Sequence, residues 1–316
     1  MYTIPPKKMV IINILDILKK YSDMDHRLTQ AQIIEILKKE YYMDVDRRTV
    51  KRNLMNLLDF DFGIDYTEII KKNEKGEEIP ICTDWYITRE FDDSEIRLLI
   101  DSVLFSKTIP QKQCKKLIDK LKGLSNIYFE KKVNHICSLP EIRPENKELF
   151  YTIDVLDEAI SKGKKVSFIY NSYGTDKKLH PKREREYVIN PYQMVATNGR
   201  YYLICNYDKY DTLSNYRIDR ITGIKMMNEK RKSIKELKEG EINLPKHMAE
   251  HLYMFAGESI RVKFKAKNYI IDQIIDWFGF GPKITKQDED TCMVEVEVNE
   301  EAFFHWAMQY GLHIEV

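Results

Sequence analysis

The chain has 316 residues, and 51 Lys plus Arg against 50 Asp plus Glu leave a formal charge of +1. With 43% apolar and 32% charged residues it reads as a soluble chain of two or three globular domains. No apolar run of about 18 residues exists, which argues against a membrane span, and MYTIPPKKMVIINIL at the N-terminus lacks the small-residue cleavage site of a signal peptide.

Val10, Ile11, Ile14, Leu15 and Leu18 predict a helix over 7–21. A polar stretch at 23–28 interrupts it. Thr29 with Gln32 three residues on has capping-box spacing and starts a second helix, which runs to about Tyr41 through Ile33, Ile34, Ile36 and Leu37. After the turn Tyr42-Met43-Asp44-Val45, Asp46 caps a third helix, buried through Val50, Leu54, Leu57 and Leu58. At 100° per residue, Arg48, Arg52 and Asn56 fall on the far side of that helix. Residues 64–72 and 79–88 read as strands, with Asn73-Glu74-Lys75-Gly76-Glu77 as the hairpin turn. Helical spacing returns over 93–107 and 115–124, and Pro140 and Pro144 punctuate a connector.

A helix at 149–161 precedes five strand-like runs at 166–170, 187–196, 200–207, 213–219 and 221–227, which suggest a small barrel-like sheet. Residues 228–246 read as a Lys/Glu-rich linker or solvated helix. The last segment runs strand, helix, two strands around Asp288-Glu289-Asp290, helix, strand. That βαββαβ order is ferredoxin-like.

Three helices and a two-stranded hairpin are the layout of a winged helix-turn-helix, whose third helix enters the major groove. Its first turns carry Arg47, Arg48, Thr49, Lys51 and Arg52. Arg pairs bidentately with guanine, and Lys or Thr holds phosphate. Lys71, Lys72 and Lys75 of the hairpin are placed to touch the backbone. The plainer reading, a solvated basic face, leaves the coincidence of charge, cap and hairpin unexplained. Asp46 followed by Thr49-Val50-Lys51-Arg52-Asn53-Leu54 resembles the recognition helix of winged-helix bacterial repressors.

Ten of the 20 tyrosines fall between 151 and 216, among many Lys and Arg. Aromatic faces stack bases while cations neutralise phosphates; the plainer reading is tyrosine at half-buried strand positions. For Arg217 and Arg220 around Asp219, the plain reading is a surface ion pair of little energetic value. The run PYQMVATNGRYYLICNYDKYDTLSNYRIDRITGI resembles the core of a WYL domain, the sensor module of many bacterial transcription regulators. Tyr201-Tyr202-Leu203 stands for the name-giving Trp-Tyr-Leu. FIYNSYG (168–174) and Pro191-Tyr192 match the first strands, and Tyr216-Arg217-Ile218-Asp219-Arg220-Ile221 the Arg-x-Asp-Arg run. Trp277-Phe278-Gly279 and Trp306-Ala307-Met308-Gln309-Tyr310-Gly311 resemble the C-terminal extension of such proteins. The resemblance implies an Sm- or SH3-like small β-barrel whose basic groove binds an effector, nucleic acid in several relatives. Carried onto matching positions, the groove residues are Tyr170, Tyr202, Tyr216, Arg217 and Arg220, with a basic loop of His180, Lys182, Arg183 and Arg185. Tyr187 stands where many relatives carry Arg.

An enzyme is the rival class, yet GxxxxGK[ST], GxSxG, HExxH and CxxC are all absent from the sequence. His247 and His251 at i, i+4 are a possible metal pair without an assignable third ligand, and His135-Ile136-Cys137 has no obvious partner. Five scattered cysteines (Cys82, Cys114, Cys137, Cys205, Cys292) suit reduced thiols in a cytoplasm. The expectation is an α+β multidomain chain with a winged helix-turn-helix over 1–90, a helical linker over 91–146, a small barrel over 147–232 and a ferredoxin-like extension over 245–316. Its expected role is a homodimeric bacterial regulator with no cofactor, bound to promoter duplex DNA. Its effector would be single-stranded nucleic acid or nucleotide-like, with a small-molecule metabolite as the alternative and a metal-dependent enzyme as the distant one.

Overall fold

The computed structural model describes residues 7–72, 76–133, 146–238, 240–255 and 257–316. Lys75, His135, Cys137, Pro140 and Pro144 lie outside them, as does the start of the N-terminal stretch. The architecture is mixed α+β, and the chain divides into two units: residues 1–105 with 111–142, and 106–110 with 143–316. Among the described residues no helix is long and apolar enough to cross a membrane.

The first unit opens with α1 (Val10–Tyr21), α2 (Gln30–Tyr41) and α3 (Arg47–Asp59). The Thr29–Gln32 capping box forms, and the Asp46 side chain accepts from the Thr49 amide. Tyr42 ends α2 in the left-handed region at φ 55. Ile14, Ile17, Leu18, Ile33, Leu37, Val50 and Leu54 meet in one core with Trp85, whereas Leu58 is only half-buried. Trp85 comes from an antiparallel hairpin of β1 (Ile64–Lys72) and β2 (Glu78–Ile87), paired from Ile64↔Ile87 to Lys72↔Glu78. Leu28 and Trp85 exchange both backbone hydrogen bonds at 2.8 Å, so the stretch before α2 pins the hairpin to the helices. Gly63 has φ +67, and a Cβ there would lie 3.0 Å from the Thr88 carbonyl oxygen, so the entry to β1 needs glycine.

Then follow α4 (Asp93–Phe105), α5 (Gln111–Lys122) and α6 (Ile127–Val133), with a small core of Ile96, Ile100, Phe129 and Val133. Sequence periodicity does not show α6, because seven residues carry too little pattern. Its capping residue and docking account for it. Asn126 Oδ1 accepts from the Tyr128 and Phe129 amides, both at 3.0 Å. Asn126 Nδ2 donates to Asp23 Oδ2 at 2.6 Å, and the Tyr128 ring stacks on His26 at 3.6 Å. Asp23 Oδ1 also accepts from the amides of Asp25 and His26 and lies 2.9 Å from His26 Nδ1.

The second unit starts at α7 (Leu149–Lys162). A six-stranded sheet follows: β3 (Lys164–Tyr173), β4 (Leu179–Pro181), β5 (Tyr187–Thr197), β6 (Arg200–Asn206), β7 (Ser214–Arg217) and β8 (Ile221–Lys230). The order is β4-β3-β5-β6-β7, with β8 also on β3, so one strand serves three neighbours and the sheet curls into a half-barrel. The sixth strand is β4, three residues too short to leave a signal of its own. One core packs α7 against Val166, Phe168, Ile189, Leu203 and Ile218. The opposite sheet face holds Tyr192, Val195, Tyr202 and Ile204, covered by Leu237 and Met254. Residues 228–246 are therefore more than a solvated linker: β8 runs to Lys230 and Leu237 is buried.

α8 (Leu244–Glu250) leads into β9 (Ser259–Lys267), α9 (Ile271–Phe278), β10 (Lys283–Lys286), β11 (Thr291–Asn299), α10 (Glu300–Tyr310) and β12 (Ile314–Glu315). This sheet has the order β10-β11-β9-β12, all antiparallel, over a core of Phe264, Ile274, Phe278, Val294 and Trp306. On α8, burial and then the neighbouring His251 charge push the His247 imidazole down to about 4. Unfolding restores an ordinary value near 6.5, so the unfolded chain binds the extra proton. Stability is expected to be undiminished above about pH 6.5 and to fall as pH drops toward 4. His247→Gln should flatten that part of a melting-temperature profile.

Candidate functional site

Helix α3 turns an apolar stripe inward, and its opposite face carries charge because the residue types alternate at 3.6 spacing. Arg48, Lys51 and Arg52 are exposed, and none joins an ion pair among the described residues. Arg47 is exposed as well, but its Nε donates to the buried Gln30 Oε1 at 3.0 Å, which ties it to the start of α2. Thr49 is half-buried and donates its hydroxyl to Asp46 Oδ2 at 2.8 Å, so that group completes the cap. Lys71 and Lys72 are exposed at the end of β1, opposite Ile79 and Glu78. Arg27 bridges to the hairpin: it donates to Thr67 Oγ1 at 2.7 Å and lies over the Tyr86 ring at 4.6 Å. Nothing in the local sequence pattern distinguishes Arg27, which acts across 40 residues of chain.

The half-barrel holds a second constellation. Phe168, Tyr170, Tyr187, Tyr207 and Tyr216 form one cluster of rings, with Tyr170 and Tyr216 edge-on at 4.7 Å. The Tyr207 and Tyr216 hydroxyls are 2.9 Å apart. Burial first, then this neighbour, pushes the Tyr216 hydroxyl well above its usual range, and burial raises Tyr170 too. Arg183 covers the cluster, its guanidinium 3.4 Å from the Tyr187 centroid, and it donates to the Arg185 and Glu186 carbonyl oxygens. Tyr187 thus serves as a platform for a neighbouring arginine. Tyr207 and Phe168 complete the cluster; their strand positions are visible in the sequence, but not that they converge.

The remaining expected residues do not share one surface. Strand parity puts Tyr216 with Leu203 on the ring-cluster side, and Arg217 with Tyr202 on the other. Tyr202 is buried among Tyr192, Ile204, Leu213 and Met254. Arg217 makes two hydrogen bonds to Asp219, at 3.0 and 2.6 Å, with side chains 14% and 1% exposed. This corrects the surface-pair reading: Asp219 is buried and Arg217 half-buried. Burial works against the Arg217 charge, yet Asp219 prevails and holds it above its usual range. Arg220 is half-buried, and its Nε has no hydrogen-bond partner among the described residues. Lys182 and Arg185 are exposed in 180–186, and His180 turns to Asp176 at 2.9 Å. The segment offers one arginine stacked on an aromatic face and two exposed cations in the same stretch, a combination suited to an anionic ligand.

The two histidines of α8 do not converge on an ion. Their rings stack at 4.2 Å, His251 Nδ1 lies 3.0 Å from the His247 carbonyl oxygen, and its Nε2 faces the Gly257 carbonyl. Among the described residues no group of three His, Cys, Asp or Glu is placed to hold a metal.

A family model for the WYL domain matches residues 151–226, from α7 into β8. A search of curated proteins found no match. A solved structure of proteasome accessory factor B/C (PafBC) of Arthrobacter aurescens aligns with 99% of this chain at 10% identity and a TM-score of 0.31. The chain spans about half the length of that protein, 49% of it being covered.

Arg217→Ala would leave the Asp219 carboxylate buried and unpaired. It is expected to cost about 3–5 kcal/mol, read as a lower melting temperature in near-ultraviolet circular dichroism. Arg185→Ala, at an exposed position, should change stability by no more than about 0.5 kcal/mol.

Proposed function

We propose, taking the WYL domain at residues 151–226 as premise, that this chain is a homodimeric, cytoplasmic regulator of transcription that reads promoter duplex DNA with a winged helix-turn-helix. The observation that carries the reading is the face of α3. Arg48, Lys51 and Arg52 are exposed, and unpaired among the described residues, on a helix whose other side is locked to two more helices and a hairpin. Arg48 and Arg52 are the base-reading candidates, since Arg matches guanine O6 and N7. Lys51, Lys71 and Lys72 take phosphates, and Arg47 positions the start of the helix. A single module of this kind reads few base pairs, so two copies at fixed spacing are needed for a palindromic site. Leu98 and Phe105 of α4, 68% and 65% exposed, suit such self-association, as do Phe304 and Met308 of α10.

The half-barrel is the sensor on this reading, and the final segment a ferredoxin-like extension. Its ligand is single-stranded nucleic acid or a nucleotide, held by Arg183, Arg185 and Lys182 beside the tyrosine cluster, with Arg220 a further candidate contact. His180 belongs to the rim. Tyr170 and Tyr216 shape the cluster, whereas Tyr202 and Arg217 act through packing. Ligand changes promoter affinity only if it binds two states of the protein unequally.

Arg48→Ala with Arg52→Ala is expected to cost about 1–3 kcal/mol per lost guanine contact in a gel shift on the chain's own promoter region, with the circular dichroism spectrum unchanged. Unchanged promoter binding would overturn the assignment of α3. In the same assay, addition of an oligo(dT) should shift promoter affinity for the parent protein and not for Arg183→Ala with Arg185→Ala. A metabolite sensor would instead show no oligonucleotide response and little salt dependence of its ligand binding.

A further inference from the structure

Helix α5 has five lysines against one aspartate in its twelve residues, whereas α3 has four cations against one aspartate in thirteen. Its apolar side is Cys114, Leu117, Ile118 and Leu121, turned toward α4 and α6. On the other side Lys112, Lys115, Lys116 and Lys120 are exposed, and none joins an ion pair among the described residues. On α4 the acids are already engaged, while Glu130 of α6 is exposed. Asp101 pairs with Arg97 at 2.9 Å, and Asp93 takes Lys132 at 3.3 Å and the Ser125 hydroxyl at 3.0 Å. Asp119 is the one carboxylate of α5 and sits on the same exposed face.

A lysine face on a surface helix is commonly just solvated. Two features point further here. In a chain with 51 cations and 50 anions, four neighbouring lysines without an ion-pair partner among the described residues, against the single Asp119 on their face, leave a local excess of positive charge. The helix is also tethered to the module that carries α3. Beyond its C-terminal end at Lys122, Asn126 and Tyr128 grip Asp23 and His26, while Gln30, four residues beyond His26, holds Arg47.

We propose that this lysine face is a second duplex-binding surface, which contacts phosphates of the same DNA that α3 reads. The proposal rests on the duplex-binding reading of α3. The chemistry fits phosphate and not bases: an ammonium is a compact, hydrated point charge without the planar fork of arginine, and phosphate contacts carry no sequence information. The dimensions fit as well. Lys112 to Lys120 spans about 12 Å of helix, and a duplex strand advances roughly 3.4 Å of axis per phosphate, so the face is long enough to meet more than one phosphate.

The test compares the full-length parent, Arg48→Ala with Arg52→Ala, and the quadruple variant Lys112→Gln, Lys115→Gln, Lys116→Gln and Lys120→Gln. Each is titrated with a mixed-sequence 36-base-pair duplex over a range of KCl. All four lysines are exposed, so the quadruple variant should keep its melting temperature. Its plot of log affinity against log salt is expected to be shallower by about 2–4, since each phosphate contact contributes roughly 0.9 to the slope. Affinity at low salt should fall about tenfold or more. If the quadruple variant keeps both slope and affinity while the arginine variant loses binding, the lysine face is overturned and α3 stands. That result would also follow if an acidic protein were the partner of α5. If the parent shows no duplex affinity at low salt, the reading of α3 falls and this proposal with it.

Discussion

A carboxylate with 1% of its side chain exposed, Asp219, sits where β7 turns into β8, and the half-barrel is arranged around it. A lone charge at that depth would cost several kcal/mol, and only a close, well-bonded partner offsets it. Arg217 supplies two hydrogen bonds, which brings a second charge to 14% exposure. The backbone around the pair is held in turn. Asn146 Nδ2 donates to the carbonyls of Asp219 and Ile221, Asn171 Nδ2 to that of Arg220, and the Arg217 amide to the Tyr170 hydroxyl. The pair thereby fixes the end of β7, and with it the angle at which Tyr216 meets the other rings. A run that looks like a ligand-binding signature in the sequence is first a structural one.

The same logic separates three cationic surfaces of different chemistry. On α3 the charges are mainly arginine, suited to base edges. On α5 they are lysine, suited to phosphate. At 180–186 an arginine lies on a tyrosine face, held there by hydrogen bonds to two backbone carbonyls. A whole-chain charge of +1 conceals all three, because net charge is an average and recognition is local.

Much of the first unit was legible in the sequence because its determinants are local. Thr29 with Gln32, and Asp46 with Thr49, act across three residues, and the stripe of Val50, Leu54 and Leu57 repeats within one helix. The strand and helix order of the last segment was legible for the same reason. What was not legible depends on distant partners. β4 is a strand only because β3 offers a free edge at 171–173, and α6 is a helix only where Asn126 and Phe129 find partners. Which face a tyrosine occupies depends on strand parity. The neighbours Tyr216 and Arg217 share a motif yet face opposite ways, and Tyr202 follows Arg217 into the other core. Burial of the Arg217–Asp219 pair is likewise set by α7 and β3, not by the motif itself.

Asp23 and Asn126 are 103 residues apart, and that separation bears on how the first unit assembles. Closing so long a loop costs more chain entropy than the short closures among α1, α2 and α3. Contacts of low sequence separation form fastest, so the packing of α1, α2 and α3 is expected to precede the docking of α6. Read in reverse, α6 is a weak seam: a seven-residue helix held by one capping side chain, one ring stack, one exposed ion pair to Asp93 and a small core. The module on α3 can therefore keep its shape while the helices that follow it come and go, in an opening well short of global unfolding.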